Sequence, residues 1–218
     1  GLIWMGDYSK MLEQIEGKME QGFRCIKLKI GAINFDDELK LLRLIRSRFS
    51  SNEVELRVDA NGAFYPSNAL EKLKRLSELE LHSIEQPIRA GQYEELAQLT
   101  QQSPLPIALD EELIGKNSME DKISLLDSVK PQFIVLKPSL HGGFRGCEEW
   151  IGLADERKIG WWVTSALESN IGLNAIAQWC ATLDNPLPQG LGTGALYTNN
   201  IDMPLSVIGD CLWYGKSL

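Results

Sequence analysis

The sequence predicts an α/β fold in which parallel strands close into a barrel. Short apolar or β-branched runs alternate with amphipathic stretches along the 218 residues, which is the order expected when helices connect parallel strands. Eight strand candidates and seven helices fit a closed barrel better than an open doubly wound sheet. The open sheet should carry a GxGxxG after its first strand, where this chain has "MGDYSK".

The strand candidates are apolar runs bounded by glycine, proline or charged residues. In chain order they are LIWMG (2–6), CIKLKIG (25–31), VELRVDANG (54–62), LHSIEQP (81–87), PIALDEEL (106–113), QFIVLKPS (132–139), GWWVTSALES (160–169) and LPQGLGTG (187–194). The helices have apolar residues at a helical period and lie between them, at 9–22, 34–49, 67–79, 93–102, 118–129, 144–158 and 170–183. No linker interrupts this alternation, so residues 1–218 are predicted to form one barrel domain.

Composition excludes several classes of function. The net charge is −8 and basic residues are not clustered, which argues against nucleic acid as a partner. No apolar run approaches the roughly 18 residues that span a membrane. The chain opens with an acid and no basic segment, and its four cysteines are far apart, so we expect reduced thiols and a cytoplasmic protein without a signal peptide. The first residue is Gly, which suggests the later part of a longer protein.

Two lysines interrupt the second strand candidate. Side chains alternate faces along a strand, so Lys27 and Lys29 share one face while Ile26, Leu28 and Ile30 share the other. The apolar face should pack on helices. The lysines are therefore predicted to point into the barrel near its carboxyl end, where active sites of this architecture lie.

Charged residues also end the next four strand candidates. Asp59, Glu85, Asp110 and Lys137 follow one another at steps of 26, 25 and 27 residues, about one strand-helix unit each. Each acid alone could be a helix cap or a loop ion pair, and the lysine pair alone could mark an exposed edge strand. The series in register favours a shared cause.

Three carboxylates without His or Cys form an all-oxygen ligand set that suits Mg²⁺, with Mn²⁺ as the alternative. A flanking lysine that is desolvated and near other cations can act as a general base. The pattern therefore predicts removal of a proton next to a carboxylate, with the resulting negative charge stabilised by the metal.

Five motifs resemble the enolase superfamily in its muconate-lactonising subgroup. They are KLK (27–29), DAN (59–61), IEQP (84–87), LDEE (109–112) and LKPS (136–139). The resemblance implies a (β/α)7β TIM-like barrel of the enolase C-terminal-domain type with one Mg²⁺. Family members also carry an N-terminal capping domain, and no part of this chain matches it.

The resemblance also implies a role for each charged residue. Asp59, Glu85 and Asp110 would be the metal ligands, Lys29 the acid/base lysine, and Lys137 the lysine on the opposite face of the substrate. Lys27 would be auxiliary to Lys29. Asn61 and Glu111 would hold Lys137 and the ligands.

Substrate-binding candidates lie at the last two strand ends. Ser165, Glu168 and Ser169 end the seventh strand candidate, and Gly192 and Thr193 lie in the eighth. After the seventh strand candidate, the N-terminus of the next helix could attract an anion. In the eighth, the glycines could let backbone N–H groups approach a carboxylate. Simple helix capping and tight turns are the alternatives.

The runs LKPSLHGG and GLGTGALYTNN resemble the dehydratases of the subgroup, which convert 2-succinyl-6-hydroxy-2,4-cyclohexadiene-1-carboxylate to 2-succinylbenzoate in menaquinone biosynthesis. A small carboxylate substrate is therefore expected, and a homo-oligomeric state is left open. The eighth strand candidate lacks the Asp-x-Asp motif of dipeptide epimerases. The competing hypotheses are an N-succinylamino acid racemase or dipeptide epimerase on the same barrel, a phosphate-binding barrel, and a non-catalytic barrel fragment.

Overall fold

Seven strands form one parallel sheet whose spatial order follows the chain. The computed structural model describes residues 1–192, 197–201 and 203–215. The strands are β1 (Leu2–Ile3), β2 (Cys25–Lys29), β3 (Glu55–Asp59), β4 (Ser83–Glu85), β5 (Ile107–Leu109), β6 (Phe133–Leu136) and β7 (Gly160–Val163). Every neighbouring pair is parallel. This confirms the predicted α/β class.

Helices connect the successive strands, as parallel pairing requires. They are α1 (Tyr8–Glu20), α2 (Phe35–Arg48), α3 (Pro66–Ser77), α4 (Tyr93–Gln102), α5 (Met119–Val129), α6 (Gly143–Glu156) and α7 (Asn170–Cys180), with a 3₁₀ turn at Glu111–Leu113. The side chains of Asp7, Asn34 and Ser118 accept backbone N–H groups in the first turns of α1, α2 and α5. None of the helices in the described residues is long and apolar enough to cross a bilayer.

The two faces of the sheet carry different side chains. Ile26 and Leu28 are fully buried in the main apolar core, which also contains the inward faces of the helices. Lys27 and Lys29 alternate with them and contact carboxylates of β3 and β4 on the other face. A smaller apolar cluster contains Ala108, Val135 and Trp162. The prediction that both lysines point inward is confirmed.

The predicted eighth strand, residues 187–194, is reduced in the described residues to a single parallel bridge between Thr164 and Gly190. A Cβ on Gly190 would lie 2.5 Å from Thr164 Oγ1, so only glycine permits this close approach. Pro188 cannot donate to a ladder, and glycines at 190, 192 and 194 weaken a strand, which accounts for the short pairing in the described residues.

An antiparallel hairpin that the sequence analysis did not predict follows near the end of the chain. It pairs β8 (Leu205–Ile208) with β9 (Cys211–Tyr214). Its two-residue loop is Gly209-Asp210, and Gly209 has a φ of 60°. A glycine in a two-residue connection between apolar runs is a known hairpin signal.

Candidate metal centre and active site

The strand register brings the predicted charges to one end of the sheet. Lys29 is the direct partner of Asp59, and Asp59 is the direct partner of Glu85. Asp110 lies two residues beyond Ala108, the partner of Glu85. Strands in a barrel are tilted and staggered, which compensates for this offset. Ligand oxygens of Asp59, Glu85 and Asp110 consequently lie within 4.8 Å of one another.

These three carboxyl groups fit a hard divalent cation. All three residues are fully buried. Within the described chain, Glu85 Oε1 and Asp110 Oδ1 have no hydrogen-bond partner, and a buried oxygen without a partner is costly. A cation placed among the three side chains would satisfy both oxygens. Mg²⁺ and Mn²⁺ prefer oxygen ligands, and carboxylates together with water or substrate oxygens supply them.

The three predicted lysines surround this acidic cluster. Lys29 Nζ donates to Asp59 Oδ2 at 2.5 Å, and Lys137 Nζ donates to Asp110 Oδ2 at 2.6 Å. Lys27 Nζ donates to Glu85 Oε2 at 2.7 Å and to Asp59 Oδ2 at 3.3 Å. Lys29 and Lys137 therefore approach the cluster from its two outer carboxylates.

Burial and neighbouring charge change the acidity of these groups. Burial alone would raise the pKa of Asp59, but the ammonium groups of Lys27 and Lys29 outweigh it and hold that pKa well below its ordinary value. Burial raises the pKa of Glu85 to about 8, although Lys27 opposes the rise, and Asp59 and Asp110 add to it. Burial works against the charge on Lys27, but Glu85 and Asp59 raise the pKa of that ammonium overall. The raised pKa of Glu85 reflects burial beside two other carboxyl groups, a cost that a bound cation would offset.

Asn61 and Glu111 connect to each other beside Lys29. Asn61 Oδ1 accepts from Lys29 Nζ at 2.8 Å, and Asn61 Nδ2 donates to Glu111 Oε1 at 2.7 Å. Asn61 N also donates to Asp59 Oδ1 at 3.0 Å, in a left-handed conformation that Asn tolerates, with φ of 42°. These groups were predicted to hold Lys137 and the metal ligands. Asn61 does contact the ligand Asp59, but the lysine beside the pair is Lys29 and not Lys137.

Lys137 is instead supported by His141, which the sequence analysis missed as a site residue. Lys137 N donates to His141 Nδ1 at 3.0 Å. The ring is almost wholly buried, and burial lowers the pKa of His141 to about 4. A neutral ring can accept this hydrogen bond. In the sequence, the signal for His141 was its position four residues after Lys137 in KPSLH.

A cavity of about 1510 Å³ opens beside the lysines. Two predicted substrate-binding residues, Ser165 and Gly192, line it together with Lys27, Lys29 and Lys137. Trp4, at the end of β1, was missed; it also lines the cavity, and Lys29 Nζ lies 5.9 Å from the centre of its ring. No signal for it was available in the sequence, because the strand candidate LIWMG (2–6) placed Trp4 inside the strand.

The other predicted substrate-binding residues have different surroundings. Glu168 accepts from Ser139 Oγ at 2.5 Å and from Ala166 N at 2.8 Å, so its carboxyl group joins the loops after β6 and β7. Ser169 is at the N-cap position of α7, but its side chain makes no capping hydrogen bond. Neither residue is among those lining the cavity. Thr193 lies outside the described residues.

Comparison with known proteins agrees with this architecture. Residues 10–208 match the model of the enolase C-terminal domain-like family. The chain is 59% identical over 212 residues to an o-succinylbenzoate synthase of Desulfotalea psychrophila, covering 97% of this chain and 57% of the relative. A crystal structure of MenC from Desulfotalea psychrophila LSv54 superposes with a TM-score of 0.89 at 58% identity, covering 97% of this chain and 58% of that one.

A second relative has a different named activity. The chain is 35% identical over 161 residues to an N-succinylamino acid racemase of Thermus thermophilus, covering 74% of this chain and 41% of the relative. The chain thus spans 57% and 41% of the length of these two curated relatives. On the family match, the high identity and the shared fold, the chain belongs to the enolase C-terminal domain-like family.

Proposed function

We propose that residues 1–218 are the catalytic barrel of a Mg²⁺-dependent dehydratase, an o-succinylbenzoate synthase. It would convert 2-succinyl-6-hydroxy-2,4-cyclohexadiene-1-carboxylate to 2-succinylbenzoate in menaquinone biosynthesis. The observation that carries the proposal is the cluster of three carboxyl groups, with ligand oxygens within 4.8 Å, flanked by Lys29 and Lys137. The 59% identity to an o-succinylbenzoate synthase supports this choice of reaction.

Asp59, Glu85 and Asp110 would hold the divalent ion, Mg²⁺ or Mn²⁺. When bound, the ion supplies positive charge that stabilises the negative charge developing on the substrate carboxylate. Lys27 keeps Asp59 and Glu85 together through its two hydrogen bonds. Its ammonium would also add to the positive potential around Lys29.

Lys29 is the proposed base and acid. Its neutral amine would take the proton from the ring carbon next to the carboxylate, leaving the electron pair of that C–H bond in an enediolate. The lysine ammonium would then give this proton to the hydroxyl group on the neighbouring carbon. The C–O bond breaks as water leaves, and the ring becomes aromatic. One lysine can serve both steps only if the proton and the hydroxyl group leave from the same face.

The remaining groups would orient these partners. Asn61 holds the Lys29 ammonium through its side-chain oxygen, with Glu111 fixing the amide. Lys137 would place positive charge on the other face of the substrate. Ser165, Glu168, Ser169, Gly192 and Thr193 remain predictions as substrate-binding residues, and Ser165 and Gly192 are the two on the cavity wall.

The direct test follows the ultraviolet absorbance of the cyclohexadiene substrate with Mg²⁺. We expect the absorbance to decay with the wild-type chain and with Lys158→Met, which replaces a lysine in the turn after α6. Lys29→Met should lose at least about 10²-fold in rate, because proton transfer by a positioned side chain contributes that much. No decay with metal-loaded wild-type protein would refute the dehydratase.

Racemisation of an N-succinylamino acid is the second candidate function. It is favoured by the two lysines at opposite ends of the acidic cluster, 2.5 Å and 2.6 Å from their carboxylates, and by the racemase relative. A racemase needs both lysines as bases, one for each face. Lys137→Arg should abolish proton exchange on one face of a racemase, whereas a dehydratase that needs only the charge keeps part of its turnover.

The cellular setting stays a prediction. A small carboxylate substrate and a cytoplasmic location follow from the proposed reaction and from the cysteine pattern. A non-catalytic barrel fragment is the remaining alternative. It predicts that Asp110→Asn leaves the affinity for Mg²⁺ unchanged, whereas the proposed centre predicts a large loss.

A further inference from the structure

Gln86 and Glu112 form a buried polar pair directly behind the acidic cluster. Gln86 follows Glu85 in the chain, and Glu112 lies two residues after Asp110. Both side chains are almost wholly buried. Gln86 Nε2 donates to Glu112 Oε2 at 3.0 Å. A buried amide and a buried carboxyl group are retained at little cost only when their hydrogen bonds are complete.

The amide of Gln86 connects the loop after β4 to the turn after β5. Its Oε1 accepts the backbone N–H groups of Asp110 and Glu112, both at 3.3 Å, and its Nε2 also donates to Ile88 O at 3.0 Å. Glu112 Oε1 accepts from Gly91 N at 2.8 Å. Gln86 therefore bonds to the turn after β5, and Glu112 bonds to the loop after β4.

The backbone hydrogen bonds between β4 and β5 stop before Asp110, so side chains make the connection at that point. Asp59 and Glu85 are direct partners in the sheet. Between β4 and β5 the paired residues end at Glu85 and Ala108, and the last bond between the two backbones at this end is from Gln86 N to Ala108 O at 2.9 Å. Asp110 lies two residues further on. The hydrogen bond from Asp110 N to Gln86 Oε1 continues the connection where the ladder stops.

We infer that Gln86 and Glu112 are positioning residues that set the distance of Asp110 from Glu85 and so determine the affinity of the metal centre. The inference rests on the proposed metal-binding function. Mg²⁺ requires nearly ideal octahedral geometry, and a small displacement of one ligand weakens binding. Groups that orient metal ligands typically change metal affinity 10- to 100-fold when they are replaced.

The test measures Mn²⁺ binding to the 218-residue chain through the electron paramagnetic resonance signal of the free ion. Gln86→Met keeps the side-chain length and removes every hydrogen bond of the amide. We expect it to lower Mn²⁺ affinity about 10- to 100-fold. Gln92→Met, the matched control, replaces a half-buried glutamine of the same loop whose side chain donates to Arg89 O, and it should bind as the wild type does. Ile45→Val, in the core of α2, should lower thermal stability without changing the affinity.

A second pair of variants decides the question if Gln86→Met does not fold. Gln86→Glu places two carboxyl groups against each other and should weaken Mn²⁺ binding. The exchange Gln86→Glu with Glu112→Gln restores one amide facing one carboxyl group and should recover most of the affinity. Equal affinities for the single and the exchanged variants would overturn the inference.

Two results separate failure of the inference from failure of the proposed function. If Asp110→Asn loses Mn²⁺ while Gln86→Met binds within about twofold of the wild type, the metal centre stands and the positioning role falls. If the wild-type chain itself binds no Mn²⁺, both fall.

Discussion

Replacing Lys27 tests how strongly the acidic cluster depends on nearby positive charge. Lys27 Nζ lies 2.7 Å from Glu85 Oε2 and 3.3 Å from Asp59 Oδ2, and both carboxyl groups are fully buried. Lys27→Met keeps the apolar stem and removes the charge. Removing one partner from a buried ionic network typically costs 3–5 kcal/mol, because the remaining charge is left uncompensated. We therefore expect the free energy of unfolding to fall by about 3–5 kcal/mol in metal-free protein.

Urea denaturation in EDTA measures this loss. Lys40→Met is the matched control, since Lys40 Nζ lies 2.6 Å from Asp37 Oδ1 but solvent screens this exposed pair. Its effect should be much smaller. Saturating Mg²⁺ should recover part of the Lys27→Met loss, because a cation that binds only the folded chain stabilises it and replaces the missing charge. Equal losses in the two variants would refute the view that Lys27 neutralises buried charge.

Two further predictions concern pH and packing. Burial lowers the pKa of His141 from 6.5 to about 4, so below pH 6.5 only the unfolded chain takes up this proton. At 1.36 kcal/mol per pH unit, the free energy of unfolding should therefore fall by about 3 kcal/mol towards pH 4. His141→Asn should remove this part of the pH dependence in urea titrations, and an unchanged slope would contradict it. Gly190→Ala would place a Cβ 2.5 Å from Thr164 Oγ1, and overpacking of this kind costs about 1–3 kcal/mol. In Gly192→Ala the added Cβ enters open space, so the free energy of unfolding, measured by thermal unfolding, should change by less than about 0.5 kcal/mol. Similar losses in the two alanine variants would show that the contact between Gly190 and Thr164 does not affect stability.

The inward position of the lysines and the order of the elements could be predicted because both follow from local rules. Side-chain alternation places Lys27 and Lys29 opposite Ile26 and Leu28 whatever the rest of the chain does. The regular spacing predicted that Asp59 and Glu85 lie at the same ends of neighbouring strands. The strand register confirms that they are paired across β3 and β4. These features need only the period of a strand and the length of a strand-helix unit.

Features that depend on three-dimensional stagger could not be predicted. Equal sequence steps suggested equal heights for all the charges, yet Asp110 is offset by two residues from the partner of Glu85. The tilt of the strands converts that offset into proximity. The contacts of Asn61 and Glu111 with Lys29, and of His141 with Lys137, depend on loop paths that spacing does not encode.

The end of the barrel shows a different limit. Residues 187–194 had the composition of a strand joined to a turn, and in the described part of this range the pairing is the single bridge between Thr164 and Gly190. The hairpin of β8 and β9 had a recognisable glycine turn, but its two short strands are exposed on most of their length and carry little apolar alternation. Alternation of apolar and polar residues marks a strand with one buried and one exposed face, and no residue of β8 or β9 is buried.

The measurement that tests the central claim most directly is an anomalous difference map from a crystal of the chain soaked in Mn²⁺. We predict one strong peak in direct contact with carboxylate oxygens of Asp59, Glu85 and Asp110, with Lys29 Nζ facing the cavity beside it. A map with no peak among these oxygens, while Mn²⁺ is bound elsewhere or not at all, would contradict the proposed centre.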